Sequence, residues 1–184
     1  MIVNLALGGG AARGLAHIGV LRGLAEDGVE INGIAGTSMG SIIGALSSQG
    51  LNPDEIEGVF EAIDWPKVGS VLVGSVLGSA FFDMLMEIIG DGEMEDLPRP
   101  FAAVCCDLDT GEEVVLRRGR LAEAVRASSA IPGVLSSFRV SGRNLVDGAV
   151  IEPVPVRAAA TLGAQPVLAV NVLKPPAPDL MPLQ

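Results

Sequence analysis

Two glycines bracket a serine at Gly36-Thr37-Ser38-Met39-Gly40, with an apolar strand candidate, Ile31 to Ala35, before them and a run of small and apolar residues after them. A G-x-S-x-G turn between strand and helix forces the chain through a sharp, crowded bend, which the flanking glycines Gly36 and Gly40 permit. The strand must enter a sheet, the helix must leave from its end, and the serine hydroxyl must stand clear of both, at the positive end of the helix. Ser38 is therefore a candidate nucleophile. Glycine is abundant here, 24 of 184 residues, so the pentapeptide alone is a weak signal and has to be read with its surroundings.

Those surroundings alternate strand and helix. The patterning predicts a strand over 2 to 7, a helix from about 13 to 26 stopped by Gly28, a strand over 31 to 35, and a helix from about 39 to 48 stopped by Gly50. Asn52-Pro53-Asp54-Glu55 reads as an N-cap, a proline at the first helical position and an acid at the third, with Ile56, Val59, Phe60 and Ile63 as the apolar stripe of a helix ending by Trp65-Pro66. Later come an apolar strand from Phe101, a hairpin across Asp109-Thr110-Gly111 and a helix near Leu121 to Ser128. A second hairpin turning at Ser141-Gly142-Arg143 follows, then a helix from about Val154 to Leu162 and a last strand from Val167 to Val172. Such alternation predicts an α/β fold with a mainly parallel central sheet and helices on its faces. Residues 1–174 are expected to form one domain, followed by a Pro-rich tail over 175–184.

Two other stretches bear on Ser38. Gly8-Gly9-Gly10-Ala11-Ala12-Arg13-Gly14 follows the first strand and opens the first helix. Its small residues let backbone N–H groups face an anion, and beside a nucleophile that anion would be the tetrahedral oxyanion of acyl transfer. The alternatives are a plain tight turn and a dinucleotide phosphate loop. The last wants an acid at the end of the second strand; here that strand runs into the serine elbow and Glu30 precedes it. Asp147-Gly148-Ala149, at the end of the strand candidate Asn144 to Val146, places an acid where it can point into a site. Its alternative reading is a turn aspartate bonding its own backbone.

The chain has one histidine. His17 shares a helix face with Val20, Leu21 and Leu24, which predicts a packed residue with a satisfied N–H in place of a base. The Ser-acid-His order of the α/β-hydrolases is unavailable, because no histidine follows Ser38. The remaining candidate base is a carboxylate. Aspartate is a poor base in water, but partial burial among groups such as Val146 and Val150 would raise its basicity. A Ser38/Asp147 dyad follows as the working reading, with Asp107 as the alternative base and, in its other reading, the residue that opens the hairpin turn.

Charge and composition narrow the partners. The net charge of −10 argues against nucleic acid and against long-range capture by anionic bilayers, so any membrane contact would be transient and either hydrophobic or local. No continuous apolar window reaches the length of a membrane span, and Met1 to Leu7 lacks a basic n-region, which reads as a first strand in a cytoplasmic protein, or one peripheral to a membrane. Cys105 and Cys106 are adjacent on a strand candidate, point to opposite faces and read as buried thiols. There is no metal signature and no cofactor motif. The sequence leaves oligomeric state open.

Four ordered blocks, LALGGGAARGLAHIGVL, GTSMGSIIGAL, RASSAIPGV and LVDGAVIEPVPV, together resemble the patatin-like phospholipase family, and specifically its small bacterial members, over about Leu5 to Val172. The resemblance implies a three-layer α/β/α fold, a Ser-Asp dyad without histidine, and hydrolysis of lipid acyl esters. It implies Ser38 as nucleophile, Asp147 as base, the amides of Gly9, Gly10 and Ala11 as oxyanion hole, and Arg13 as the residue that helps fix that loop. Many relatives have glycine at Ala11 and at Ala149; both changes keep the backbone amides and bear on substrate shape. The chain is also short for the family between Trp65 and Pro98. Two other functions share this pattern: a catalytically silent lipid-binding or interaction module, and an acyltransferase that passes the same acyl-enzyme to an acceptor other than water.

One further expectation rests on Val68 to Leu77, a five-residue unit repeated twice and followed by Gly78-Ser79-Ala80-Phe81-Phe82. Its period fits neither helix nor strand well. It reads either as a glycine-faced helix in the core or as a mobile flap bordering an acyl-chain groove.

Overall fold

Alternation within the apolar runs decides which side of the sheet each helix covers. The computed structural model describes residues 1–63 and 84–173. Seven strands lie in one sheet among these residues: β1 (Ile2–Leu7), β2 (Glu30–Thr37), β3 (Phe101–Asp107), β4 (Glu113–Leu116), β5 (Phe138–Val140), β6 (Arg143–Asp147) and β7 (Val167–Val170). β7, β1, β2 and β3 are neighbours in that order and parallel, whereas β4 and β6 pair with β3, and β5 with β6, antiparallel. The predicted mainly parallel sheet is present, with a short antiparallel annex at one side.

Leu5, Leu7, Ile34, Phe101 and Ala103 point to one face, where they pack with residues of α1 (Ala16–Glu26), α2 (Met39–Ser48), α3 (Pro53–Glu61) and α4 (Leu121–Ser128). Their neighbours Ala6, Ala35, Ala102 and Val104 point to the other face and meet Ala158 and Ala159 of α5 (Val156–Ala160). The three layers are thus unequal. Branched and aromatic side chains fill the thick side, and alanines on the thin side let one short helix approach the sheet closely.

The helix boundaries follow the expected chemistry. Asn52 Oδ1 accepts from the amides of Asp54 and Glu55 at 3.0 Å each, and Glu55 Oε2 accepts from the Asn52 amide at 2.8 Å, which completes a capping box at the start of α3. Ile56 and Phe60 are its buried residues. The helix reaches Glu61; the predicted stop at Trp65-Pro66, the repeated Val68 to Leu77 unit, Phe81 and Phe82, and the Pro-rich tail all lie outside the described residues. The first helix opens as a 3₁₀ turn, Ala11–Leu15, before α1 proper. The last predicted helix is shorter than expected, because Pro155 caps it with ψ at 59° and Gly163 lies just past its end.

A junction beside β3 positions the site. Cys105 and Cys106 each have partners on both β4 and β6, and Ala103 and Val104 each have partners on both β4 and β2. A strand has two edges, so β2 and β6 share the edge opposite β4. β2 ends with Thr37 opposite Val104, and β6 ends with Asp147 opposite Cys105. The two strands run in opposite directions and meet head-on there, with Ser38 and Asp147 at the meeting point.

Candidate active site

Ser38 leaves β2 with φ 55° and ψ −125°, a conformation that an L-residue adopts only under strain of order 1–3 kcal/mol. The bend is possible because the glycines two positions to either side carry no side chain: a Cβ on Gly40 would stand 2.1 Å from the Leu7 carbonyl oxygen, and one on Gly36 would stand 2.4 Å from the Gly40 carbonyl oxygen. The Ser38 residue is 6% exposed at the N-terminus of α2. Its carbonyl accepts from the Ser41 amide at 2.8 Å and from Ser41 Oγ at 2.7 Å.

Asp147 closes the other side. Its residue is 3% exposed, its amide donates to the Ala130 carbonyl at 2.9 Å, and its Oδ1 accepts from the Ala149 amide at 2.9 Å. Burial pushes its carboxyl above the ordinary carboxylate range, and the facing Ser38 hydroxyl and the Ala149 amide pull it part of the way back. Oδ1 makes the self-bonding turn with the Ala149 amide, and the carboxylate faces the Ser38 hydroxyl. Asp107 is occupied otherwise. Its Oδ1 accepts from the amides of Asp109 and Thr110 at the β3–β4 turn, and its Oδ2 meets Arg143 at 3.4 Å.

The glycine loop lies against the serine, since a Cβ on Gly9 would be 3.2 Å from the Cβ atoms of both Ser38 and Ala149. Its first half is pinned by three bonds. The Gly8 amide donates to Val170 O at 3.0 Å, the Gly9 amide to Pro153 O at 2.9 Å, and His17 Nε2 lies 2.7 Å from the Gly8 carbonyl oxygen. The Gly9 amide is therefore committed to Pro153, and Gly10 and Ala11 carry the loop's next amides. Ala11 holds φ 46°, the left-handed region where glycine is at ease. Arg13 is exposed, and its amide donates to Gly10 O at 3.0 Å as the first bond of the 3₁₀ turn.

His17 is fully buried, and burial pulls its imidazole below the usual value; the Gly8 carbonyl accepts from Nε2–H, and Nδ1 has no partner. It is a neutral structural donor to the glycine loop. Cys105 and Cys106 are buried free thiols, and burial raises both. Among the described residues no three His, Cys, Asp or Glu side chains gather to hold a metal ion, and no helix is long and apolar enough to cross a membrane.

Two groups escaped the sequence reading. Thr37 Oγ1 donates to Glu152 O at 3.1 Å, which ties the segment after Asp147 to the elbow. Ser128, the last residue of α4, has its Oγ 3.1 Å from the Ser38 amide and 2.7 Å from the Val104 carbonyl oxygen. The serine pair in RASSAIPGV was the available signal, but nothing in its local pattern says which strand end it meets.

Comparison with known proteins gives a consistent picture. The profile of the family described as patatin-like phospholipase matches residues 5–160. An uncharacterised NTE family protein of Mycobacterium tuberculosis is 39% identical over 176 residues, covering 92% of this chain and 49% of that protein. Human patatin-like phospholipase domain-containing protein 6 is 34% identical over 183 residues, covering 92% of this chain and 13% of that protein. The chain thus spans about half the length of the mycobacterial relative and a small part of the human one. Among solved structures, VipD from Legionella pneumophila superposes with a TM-score of 0.58 at 14% identity, over 82% of this chain and 46% of that one, a likeness of fold.

Proposed function

The chain belongs to the patatin-like phospholipase family, and from that premise we propose that it is a serine lipid acyl hydrolase of the phospholipase A or carboxylesterase type, working through a Ser38–Asp147 dyad. The observation that carries this reading is the strained, glycine-flanked elbow that holds Ser38 against a buried aspartate of raised basicity.

In the proposed reaction Ser38 Oγ attacks the ester carbonyl while its proton passes to the Asp147 carboxylate. The carbonyl electrons move onto oxygen, and that oxyanion is met by the amides of Gly10 and Ala11. Collapse breaks the acyl–oxygen bond, and the leaving alkoxide takes the proton from Asp147, which gives a free alcohol or lysolipid and an acyl-Ser38 ester. Asp147 then draws a proton from water, the hydroxide adds to the acyl-enzyme, and collapse returns the proton to Ser38 Oγ and frees the carboxylic acid. His17 takes no part as a base, since its imidazole is buried and bonded to the loop.

The test is hydrolysis of p-nitrophenyl esters of graded chain length beside phospholipid vesicles, with products identified. Ser38→Ala is expected to abolish turnover of all of them while the protein still folds. Retained ester cleavage by Ser38→Ala would overturn the assignment. Acyl transfer to an added alcohol in preference to water would recast the enzyme as an acyltransferase, and binding of vesicles without turnover by the wild type would make it a silent module.

A further inference from the structure

The parallel ladder between β2 and β3 sets a rule that Ser38 breaks. The Ile34 amide donates to the Pro100 carbonyl, and the parallel register over Ile34 to Thr37 repeats such bonds every second residue. The next donors in step are Gly36 and Ser38, so the Ser38 amide falls due at the Val104 carbonyl. Instead, Ser128 Oγ stands between them, accepting from the Ser38 amide and donating to the Val104 carbonyl.

We propose that Ser128 is the positioning residue of the nucleophile: a hydroxyl spacer inserted in the last rung of the β2–β3 ladder that keeps the strand from closing onto β3 and holds Ser38 at its strained angle facing Asp147. This rests on the reading of Ser38 as nucleophile. Ser128 is fully buried, and its two bonds satisfy both backbone groups that the elbow pulls apart. Without the hydroxyl, the Ser38 amide and the Val104 carbonyl each lose a buried partner, and the shortest way to recover one is to bond each other. That closure completes the ladder and turns Ser38 away from its observed φ. The cost then falls on reactivity more than on stability, because the lost rung is replaced by a direct one.

The experiment compares fluorophosphonate labelling rates, short-ester kinetics and thermal melting for wild type, Ser128→Ala, Ser128→Cys and Asn52→Ala. The last removes a cap on α3, away from the junction, and serves as a stability control. Ser128→Ala is expected to label Ser38 at least about tenfold more slowly, with kcat falling by a similar factor and KM within about twofold. Asn52→Ala is expected to label within about twofold of wild type despite a lower Tm. If Ser128→Ala does not fold, the near-isosteric Ser128→Cys, a poor donor and acceptor, carries the same expectation. Wild-type rates in a folded Ser128→Ala or Ser128→Cys would overturn the proposal and leave the nucleophile in place, and so would a slowing matched by Asn52→Ala. A wild type that labels elsewhere than Ser38, or not at all, would overturn the nucleophile reading beneath it.

Discussion

At the scale of the residue, the site is a set of side chains and amides whose ordinary habits have been bent. Asp147 is the clearest case. A carboxyl raised by burial binds its proton more tightly in the folded chain than in the unfolded one, so stability falls as pH rises from the unfolded value through the raised one. Asp147→Asn removes that cost and keeps an oxygen for the Ala149 amide. It is expected to melt higher than wild type at pH 7, to lose that advantage at acid pH, and to lose nearly all activity. Calorimetry across pH beside ester hydrolysis checks both halves, and half of wild-type turnover in the Asp147→Asn protein would rule out the carboxylate as base. The acid limb of wild-type kcat/KM is expected to lie above the ordinary aspartate range and to follow one proton. His17→Gln tests the other titratable group. Gln can present an amide N–H to the Gly8 carbonyl much as Nε2 does, so turnover is expected to stay within about threefold and the acid limb to stay in place. A lost limb in that folded variant would make the imidazole the base after all.

At the scale of the element, the legible parts were those whose signals are local. The capping box of α3, the span of α2 and the β3–β4 turn are written in residues within a few positions of one another, and the structure has them where Asn52, Gly50 and Asp109-Thr110-Gly111 place them. Asn52→Ala is expected to cost about 1 kcal/mol and lower Tm by several degrees without changing short-ester turnover, read by thermal melting and a kinetic assay. The glycine loop was only half legible. Its small residues announce free amides, but the bond from Gly9 to Pro153 joins segments far apart in sequence, and no periodicity reports it. The 3₁₀ opening of the first helix escaped notice for a related reason: its turn is fixed by where the loop must lie against Met39 and the elbow, since a Cβ on Gly14 would be 2.4 Å from Met39 Cγ.

At the scale of the whole molecule, four separated blocks of sequence converge where β2 and β6 meet head-on along one edge of β3. Alternation of strand and helix along the chain predicts a mainly parallel sheet with helices on both faces, and β7, β1, β2 and β3 form it. What no local pattern carries is that Thr37 and Asp147 face consecutive residues, Val104 and Cys105, on the same edge. That register is a long-range pairing, and it brings Ser38 and the Asp147 carboxylate together, with Ser128 Oγ between the Ser38 amide and the Val104 carbonyl. The measurement that bears most directly on the whole account is peptide mapping of a fluorophosphonate adduct, with labelling rates for wild type and Asp147→Asn. The expected result is a single adduct on Ser38 in the wild type and, in folded Asp147→Asn, labelling slowed at least about a hundredfold. An adduct on another residue, none in a folded wild type, or equal rates in the two proteins would contradict it.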